Sequence, residues 1–554
     1  MNYKFKRLTW ILALFAALCF DYLFWQKTTG VNVFIFVVLI LLCGLIPFWL
    51  NKVSIPWTSY LLLIPIIGFA FLSCFRSESL TSVINILIII GALVLFATTL
   101  LNGDWIRFNI QDHVVNSLKF LLNCFSGGIL FFLKVNHTLP ESQNEVSGSA
   151  IIDLDREPEP PDKKRTPQKW LPYFRGVLIA IPILIILTFL LTSADPIFKD
   201  RIQNLFSWFN ADNLGEVIFR LVYITLIAYQ LLSANYFGLF ESKKIKKIKA
   251  AKPSWRPFLG FIESWIILGM VNLLFLSFVI LQFTYLFGGQ SNINLEGFTY
   301  SEYAVRGYME LIAVVIITLI LFYVMNLITK RETVPQQRIF SCLGLLLIGL
   351  TGVILASALT RLSLYETVYG FTRLRTLTHI SMIWIGLLLL AVIILEITHK
   401  MQHLAIILIC LIFGFGVTVN LVNIDRFIVQ QNINRTISSS EIDSGSTLDT
   451  RYLFSLSYDS IPPLITVFKD SETPEIIKEE IGAILACRLL SLDVSEKQPW
   501  YTAHFSRSRA TQLLEENTHT LENYLVFGES GWLVKIDGEI KPCWDDAFDP
   551  DILD

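Results

Sequence analysis

The sequence predicts an all-α polytopic membrane protein of about eleven transmembrane helices, carrying a small, mostly helical extracytoplasmic C-terminal domain. Three observations lead there. Only 16% of the 554 residues are charged and 54% are hydrophobic, whereas soluble chains average about 25% charged residues. Runs of roughly twenty residues pass almost without charge, the length a bilayer core demands of a helix. After residue 422 the composition turns polar and acidic. Such a chain is not a cytosolic enzyme, a nucleic-acid binder held by a basic face, a disordered polymer or a disulfide-stapled secreted scaffold.

Taken in order, the apolar runs place spans at 8–25, 32–50, 57–75, 80–101, 176–192, 216–240, 258–286, 309–329, 339–360, 380–398 and 404–422. Lys4, Lys6 and Arg7 precede the first run and no small-residue cleavage site follows it, so it reads as a retained helix, not a signal peptide. Lys and Arg in the loops set the orientation. With the N-terminus inside, 24 of the 44 fall in cytoplasmic segments and eight in outer loops; the rest are Arg220 within a span and eleven in the tail. The tail then lies outside.

The stretch 117–135 is apolar but holds Lys119 and the pair Gly127 and Gly128. Counted as a span, it would turn the basic cluster from Lys163 to Arg175 outward. It reads as interfacial or re-entrant, continuing the amphipathic stretch 105–122. Residues 141–169, polar and proline-containing, form a flexible cytoplasmic linker. The organisation is thus a four-span region over 1–104, the interfacial segment and linker over 105–172, a seven-span body over 173–422 and an acidic domain over 423–554. The basic loop 242–252 is more simply a topology determinant than an anionic-lipid site.

The acidic domain holds 23 acids against 11 bases and is long enough to bury its own core. Periodicity predicts helices over 448–468, 474–492 and 507–523, and alternation over 526–542 predicts small hairpins turning at 529–531 and 537–538. Cys487 and Cys543 both fall here, where an oxidising compartment permits a disulfide; the other six cysteines lie in or beside apolar segments as packing residues. The sequence has no CxxC, no HExxH, no P-loop and no GxGxxG after a strand, so no metal, nucleotide or other cofactor is expected. His399 and His403 have metal-like spacing but sit at an inner helix end beside Lys400, and read as interfacial side chains.

Charged groups inside spans are costly and call for a partner or a function; Asp21, Arg220 and Glu263 are such groups. Toward the outer side, Asp195 precedes Pro196 as a helix N-cap with proline at the first helical position, or stands as a carboxylate at a vestibule floor. Arg306 and Glu310 have i, i+4 spacing and can pair with each other. Residues 361–375, if helical, put Tyr365, Tyr369 and Arg373 on one stripe, with Glu366 near the turn at Gly370. The functional reading gathers Arg306, Arg361, Arg373 and Arg375 with Tyr300, Tyr303, Tyr365 and Tyr369 at one outer mouth. There guanidinium forks bind carboxylate or phosphate and tyrosines hold an amphipathic or sugar-bearing group. The plainer reading makes them interface anchors. The candidate ligand-binding set is Asp195, Arg306, Glu310, Tyr365, Glu366, Tyr369, Arg373 and Arg375, with no catalytic or metal-ligating residue.

Ser193-Ala194-Asp195-Pro196-Ile197-Phe198, Tyr303 to Tyr308, Leu364-Tyr365-Glu366, Tyr369 to Arg375, Asn423-Ile424-Asp425, Leu448-Asp449 with Tyr452-Leu453, and Ser506 to Ala510 recur in order. Over about 173–510 the chain resembles a bacterial multi-pass membrane family of unknown function, DUF4173. One departure is that Val305 stands where that pattern has an arginine, and Arg306 follows it. The resemblance implies a polytopic protein of the bacterial cytoplasmic (inner) membrane, and no activity or cofactor.

Three functions are compatible with these readings. The first is a non-enzymatic, transporter-like or lipid-handling protein whose partners are membrane lipids and an anionic amphiphile or lipid-linked ligand. The second is a membrane-embedded transferase using a lipid-linked donor, disfavoured because the first outer loop, 26–31, is too short to carry a set of acids. The third is a sensor or scaffold whose C-terminal domain binds an envelope protein.

Overall fold

The computed structural model describes residues 3–134, 184, 188, 191, 195, 211–242, 257–285, 307–438, 448–494, 499–528, 531–536 and 539–543. Among them nine helices are long and apolar enough to cross a membrane. In the first half run α1 (Tyr3–Phe24), α2 (Val31–Leu50), the short α3 (Trp57–Tyr60) and α4 (Leu63–Leu72), α5 (Ser79–Thr99) and α6 (Ile110–Lys134). In the second half run α7 (Ala211–Tyr236), α8 (Phe261–Tyr285), α9 (Tyr308–Ile328), α10 (Val334–Tyr369), α11 (Arg373–Ile397) and α12 (Leu404–Val422). Most of the expected span at 176–192, the linker 141–169 and most of the basic loop 242–252 lie outside the described residues.

Three elements differ from expectation. The third span breaks between α3 and α4, because Pro65 has no N–H to give the carbonyl of Leu61 and its ring crowds that carbonyl. The stretch 117–135 does not turn back: α6 runs unbroken through Gly127 and Gly128, and Gly128 admits the ring of Tyr229 from α7. The ninth span is much longer than 339–360. It opens on a capping box between Thr333 and Gln336 and ends at Gly370, whose φ of 76° only glycine adopts freely. Its 36 residues extend about 54 Å at 1.5 Å per residue, against a hydrocarbon core of about 30 Å. Its last turns, from Arg361 to Tyr369, therefore have length to project past the core.

The helices of the two halves interlock. The first helix, α1, lies against α2 and α7, while α10 is flanked by α8, α9 and α11, and α12 returns to α5. There Gly416 lets Phe69 and Ile88 approach the α12 backbone. One turn on, the buried amides of Asn85 and Asn420 exchange hydrogen bonds of 3.1 and 2.7 Å. An amide pair with both donors satisfied is tolerated inside lipid, where an unpaired one is not.

The C-terminal domain starts one residue beyond α12. Asn423, at φ 50°, makes the left-handed turn that asparagine tolerates, and α13 (Ile424–Ser438) follows. The helix expected over 448–468 is split into α14 (Thr450–Ser455) and α15 (Ile461–Lys469), because Pro462 and Pro463 begin a new helix and cannot continue an old one. Helices α16 (Glu475–Val494), α17 (Phe505–Glu515) and α18 (Thr518–Leu521) lead into an antiparallel meander of β1 (Leu525–Gly528), β2 (Gly531–Ile536) and β3 (Glu539–Pro542). A disulfide joins Cys487 in α16 to Cys543 after β3. The domain core, with Leu464, Ile481, Leu485, Leu514 and Val534, continues without a gap into Ile380 and Val419 of the membrane helices.

Candidate functional site

Several contacts fasten the C-terminal domain to one end of the helix bundle, and three of them bear on the site. The first is Arg373, at the start of α11: its Nε and Nη2 donate to the two carboxylate oxygens of Asp425 at 2.7 and 2.6 Å. Glu78, the N-cap of α5, lies 3.8 Å away, and the Arg373 backbone N–H donates to the Tyr452 hydroxyl at 2.8 Å. The second is Arg76, in the loop between α4 and α5. It donates to the Asn420 carbonyl at 2.7 and 3.0 Å and to Asp459 at 3.3 Å. Asp459 also accepts from the Ser77 backbone N–H at 3.1 Å. The third is residues 499–506, which run along the ends of α2 and α4. The Val31 N–H donates to the Ala503 carbonyl at 3.2 Å, and the Phe505 N–H to the Cys74 carbonyl at 2.9 Å. Lys27 donates to the Tyr501 hydroxyl at 2.6 Å.

These contacts redistribute the residues expected to line one vestibule. Arg373 is committed to Asp425 inside the seam and is not on a stripe with Tyr365, because Gly370 ends α10 before it. Arg375 turns back to cap α10, donating to the carbonyl of Gly370 at 2.7 Å, and lies 4.0 Å over the ring of Tyr365. Tyr365 meets Tyr369 edge-on at 5.1 Å. Glu366 is buried and faces His379 at 3.3 Å. Arg361 is buried as well and donates to Gln282 at 3.2 Å. Glu310 is exposed at the start of α9, Asp195 is exposed, and Arg306, Tyr300 and Tyr303 lie outside the described residues, as does the expected Arg306–Glu310 pair.

Of the intramembrane charges, two find each other. Arg220 donates to both oxygens of Asp21 at 3.0 and 2.5 Å, and Tyr223 adds a hydroxyl to the same carboxylate. Trp25 stacks on Tyr223 and donates to Glu216 at 2.8 Å. Glu263 is exposed and accepts from the Gly260 N–H at 2.8 Å, an N-terminal cap on α8.

Beside the Arg76 anchor lies a cavity of about 450 Å³. Phe71, Phe75, Leu421 and Phe505 give it an apolar side, with Phe75 and Phe505 stacked at 4.8 Å. Arg76, Arg426, Ser506 and Arg509 give it a cationic, hydrogen-bonding side. Two of the guanidiniums, those of Arg426 and Arg509, are on exposed residues, and the Ser506 hydroxyl is buried with no hydrogen-bond partner among the described residues. The combination suits an anion with an apolar body.

The family model for a domain of unknown function, DUF4153, matches residues 63–467. The chain belongs to the DUF4153 family. The number differs from the DUF4173 resemblance, while the character of the family, a domain of unknown function, is the same. No curated protein and no solved structure matches the chain.

The DUF4153 match begins in α4 and ends in α15, so it takes in both partners of the Arg76–Asp459 and Arg373–Asp425 pairs. Sequence reasoning missed Arg76, Arg426, Ser506 and Arg509 as one group. The same argument that singled out Arg361, Arg373 and Arg375, basic residues on the side poor in Lys and Arg, applies to Arg76 and would have found it. A second missed group is at the opposite end of the bundle. Buried Glu396 accepts from Ser341 at 2.5 Å and Asn326 at 3.3 Å, and Arg331 donates to the Asn326 carbonyl at 2.6 Å. Burial pulls the Arg331 guanidinium below its usual range, opposed by Glu396. This cluster joins α9, α10 and α11 and needs no ligand to account for it.

Proposed function

We propose that this DUF4153 protein is a non-enzymatic, lipid-handling protein of the bacterial cytoplasmic membrane, with its N-terminus in the cytoplasm and its C-terminal domain outside. It receives an anionic amphiphile where that domain meets the membrane helices. The orientation is supported by the distribution of Lys and Arg, and by the Cys487–Cys543 disulfide, a bond favoured by an oxidising compartment.

The observation that carries the reading is the mixed cavity at the seam, apolar on one side and cationic on the other. It replaces Arg373 and Arg375 as the place to look for a ligand, since those guanidiniums already serve Asp425 and the end of α10. Native mass spectrometry of the gently solubilised full chain tests it, beside an Arg426→Ala, Arg509→Ala variant. Both positions are exposed, so the variant should keep its thermal midpoint. A bound amphiphile present in the wild type and lost in the variant is expected. Absence of any adduct from the wild type, or an adduct indifferent to the substitutions, would move the weight to a scaffold role for the C-terminal domain.

A further inference from the structure

We infer that the seam cavity is a site for the phosphate headgroup of a membrane lipid, which enters sideways from the adjoining leaflet with its acyl chain against Phe71 and Leu421. The inference rests on the amphiphile reading above and names the chemistry of the ligand.

Charge comes first. The cavity lining carries Arg76, Arg426, Arg509 and a single acid, Asp459. Asp459 is fully occupied: it accepts from Arg76, from the Ser77 N–H and hydroxyl, and from Asn423 and Ser457, all between 3.1 and 3.4 Å. It therefore fixes Arg76 and has little capacity left for a second cation. Arg509 makes one long bond to Gln512, at 3.3 Å along its own helix, and Arg426 is exposed. Among the described residues, two guanidiniums thus remain to neutralise an incoming anion.

The number of donors favours phosphate over carboxylate. One guanidinium fork already serves a planar carboxylate on both oxygens, as Arg373 does for Asp425. Here three donor groups line one cavity: Arg426 from the first turn of α13, Arg509 and the unpartnered Ser506 hydroxyl from α17. Two guanidiniums and a hydroxyl are more donors than the two oxygens of one carboxylate need, and they suit a phosphate group with its larger set of acceptor oxygens.

The apolar side decides where the ligand comes from. Phe71 lies in the last turn of α4 and Leu421 in the last turn of α12, both helices of the bundle's apolar body, and both side chains are exposed, Leu421 by 73%. A free phosphate has no use for such a wall, whereas a lipid headgroup brings a chain to cover it.

The test holds the full chain in dodecyl maltoside micelles, which carry no phosphate, doped with either phosphatidylglycerol or diacylglycerol, and reads lipid adducts by native mass spectrometry, with sn-glycerol 3-phosphate added as a soluble competitor. Expected is a phosphatidylglycerol adduct at least tenfold enriched over diacylglycerol, reduced several-fold in Ser506→Ala and abolished in Arg426→Gln, Arg509→Gln. The soluble phosphate should compete poorly. Equal retention of diacylglycerol would overturn the phosphate assignment and leave the amphiphile reading standing. Full displacement by glycerol phosphate would overturn entry from the leaflet. No adduct of any kind on the wild type would remove both.

Discussion

Arg373 and Asp425 form a two-point ion pair, Nε to Oδ1 at 2.7 Å and Nη2 to Oδ2 at 2.6 Å, in which the carboxylate is wholly buried. Fifty-two residues separate them, and they come from different compartments of the fold, the end of a membrane helix and the first turn of the C-terminal domain. Asp425 also accepts from the Ser457 N–H at 2.7 Å, so one carboxylate ties α11, α13 and the turn before α15 together. Removing one partner of a buried pair costs about 3–5 kcal/mol, because the other charge is stranded. Asp425→Ala should therefore loosen the domain, seen as faster hydrogen exchange in α13 and a lowered thermal midpoint. Arg373→Ala should do the same, and the double variant should be less than additive. Additive losses would mean that the pair does not couple across the seam.

A second anchor depends on the absence of a side chain. A Cβ built on Gly30 would stand 2.5 Å from the Thr502 carbonyl oxygen and 2.8 Å from that of Ala503. Its φ is near −179°, an extended conformation open to any residue, so the requirement is one of space alone. Gly30→Ala must push the 499–506 segment off the end of α2, at a cost of about 1–3 kcal/mol typical of overpacking. Hydrogen exchange at Val31, whose N–H bonds the Ala503 carbonyl, should accelerate in the variant. Protection equal to wild type would show that the backbone absorbs the methyl.

Much of the membrane architecture was legible because lipid imposes a simple rule. Runs such as 80–101 and 404–422 are long and uncharged, and helices stand at Ser79–Thr99 and Leu404–Val422. The meander was readable from its alternation and its turns. What composition could not supply was pairing between distant residues. Asp21 and Arg220 each stood out as costly charges, yet nothing local tells that they meet across 199 positions. The vestibule reading failed at Arg373 for the same reason: its partner is on another element, and the break at Gly370 removes the helical stripe that had placed it with Tyr365. Ser506 and Arg509 were visible only as part of a motif, since a cavity between a loop and a remote helix leaves no period in either.

His504 is expected to make the seam sensitive to acid. Its Nε2 donates to the Thr29 carbonyl, and burial holds the imidazole below its ordinary value of 6.5, with the Thr29 carbonyl and Asp459 raising it and Arg507 lowering it. The sign follows from linkage. Above about pH 6.5 the ring is neutral in folded and unfolded chains alike, so the seam keeps its full stability. As pH falls below that value the unfolded chain takes up a proton that the docked ring resists, and stability declines until the folded value is passed. Thermal midpoints of wild type and His504→Gln measured from pH 8 to pH 5 should diverge, the wild type falling more steeply below 6.5. Parallel curves would exclude His504 as the source of the acid dependence.

The Cys487–Cys543 disulfide closes a loop 56 residues apart in sequence that contains α17, α18 and the whole meander. By the chain-entropy relation a loop of this size restricts the unfolded state by about 4 kcal/mol, an upper value where native geometry is unstrained. Since Val534 and Leu514 are fully buried in the core that this loop completes, opening it should act on the C-terminal domain and spare the membrane helices. Cys543→Ser in the full chain is expected to give hydrogen exchange faster by one or more orders of magnitude in α16 and β2, with α10 and α11 unchanged. A uniform change through both regions would instead mean that the domain and the bundle unfold as one unit, which the continuous core from Leu485 to Ile380 and Val419 makes the sharpest alternative.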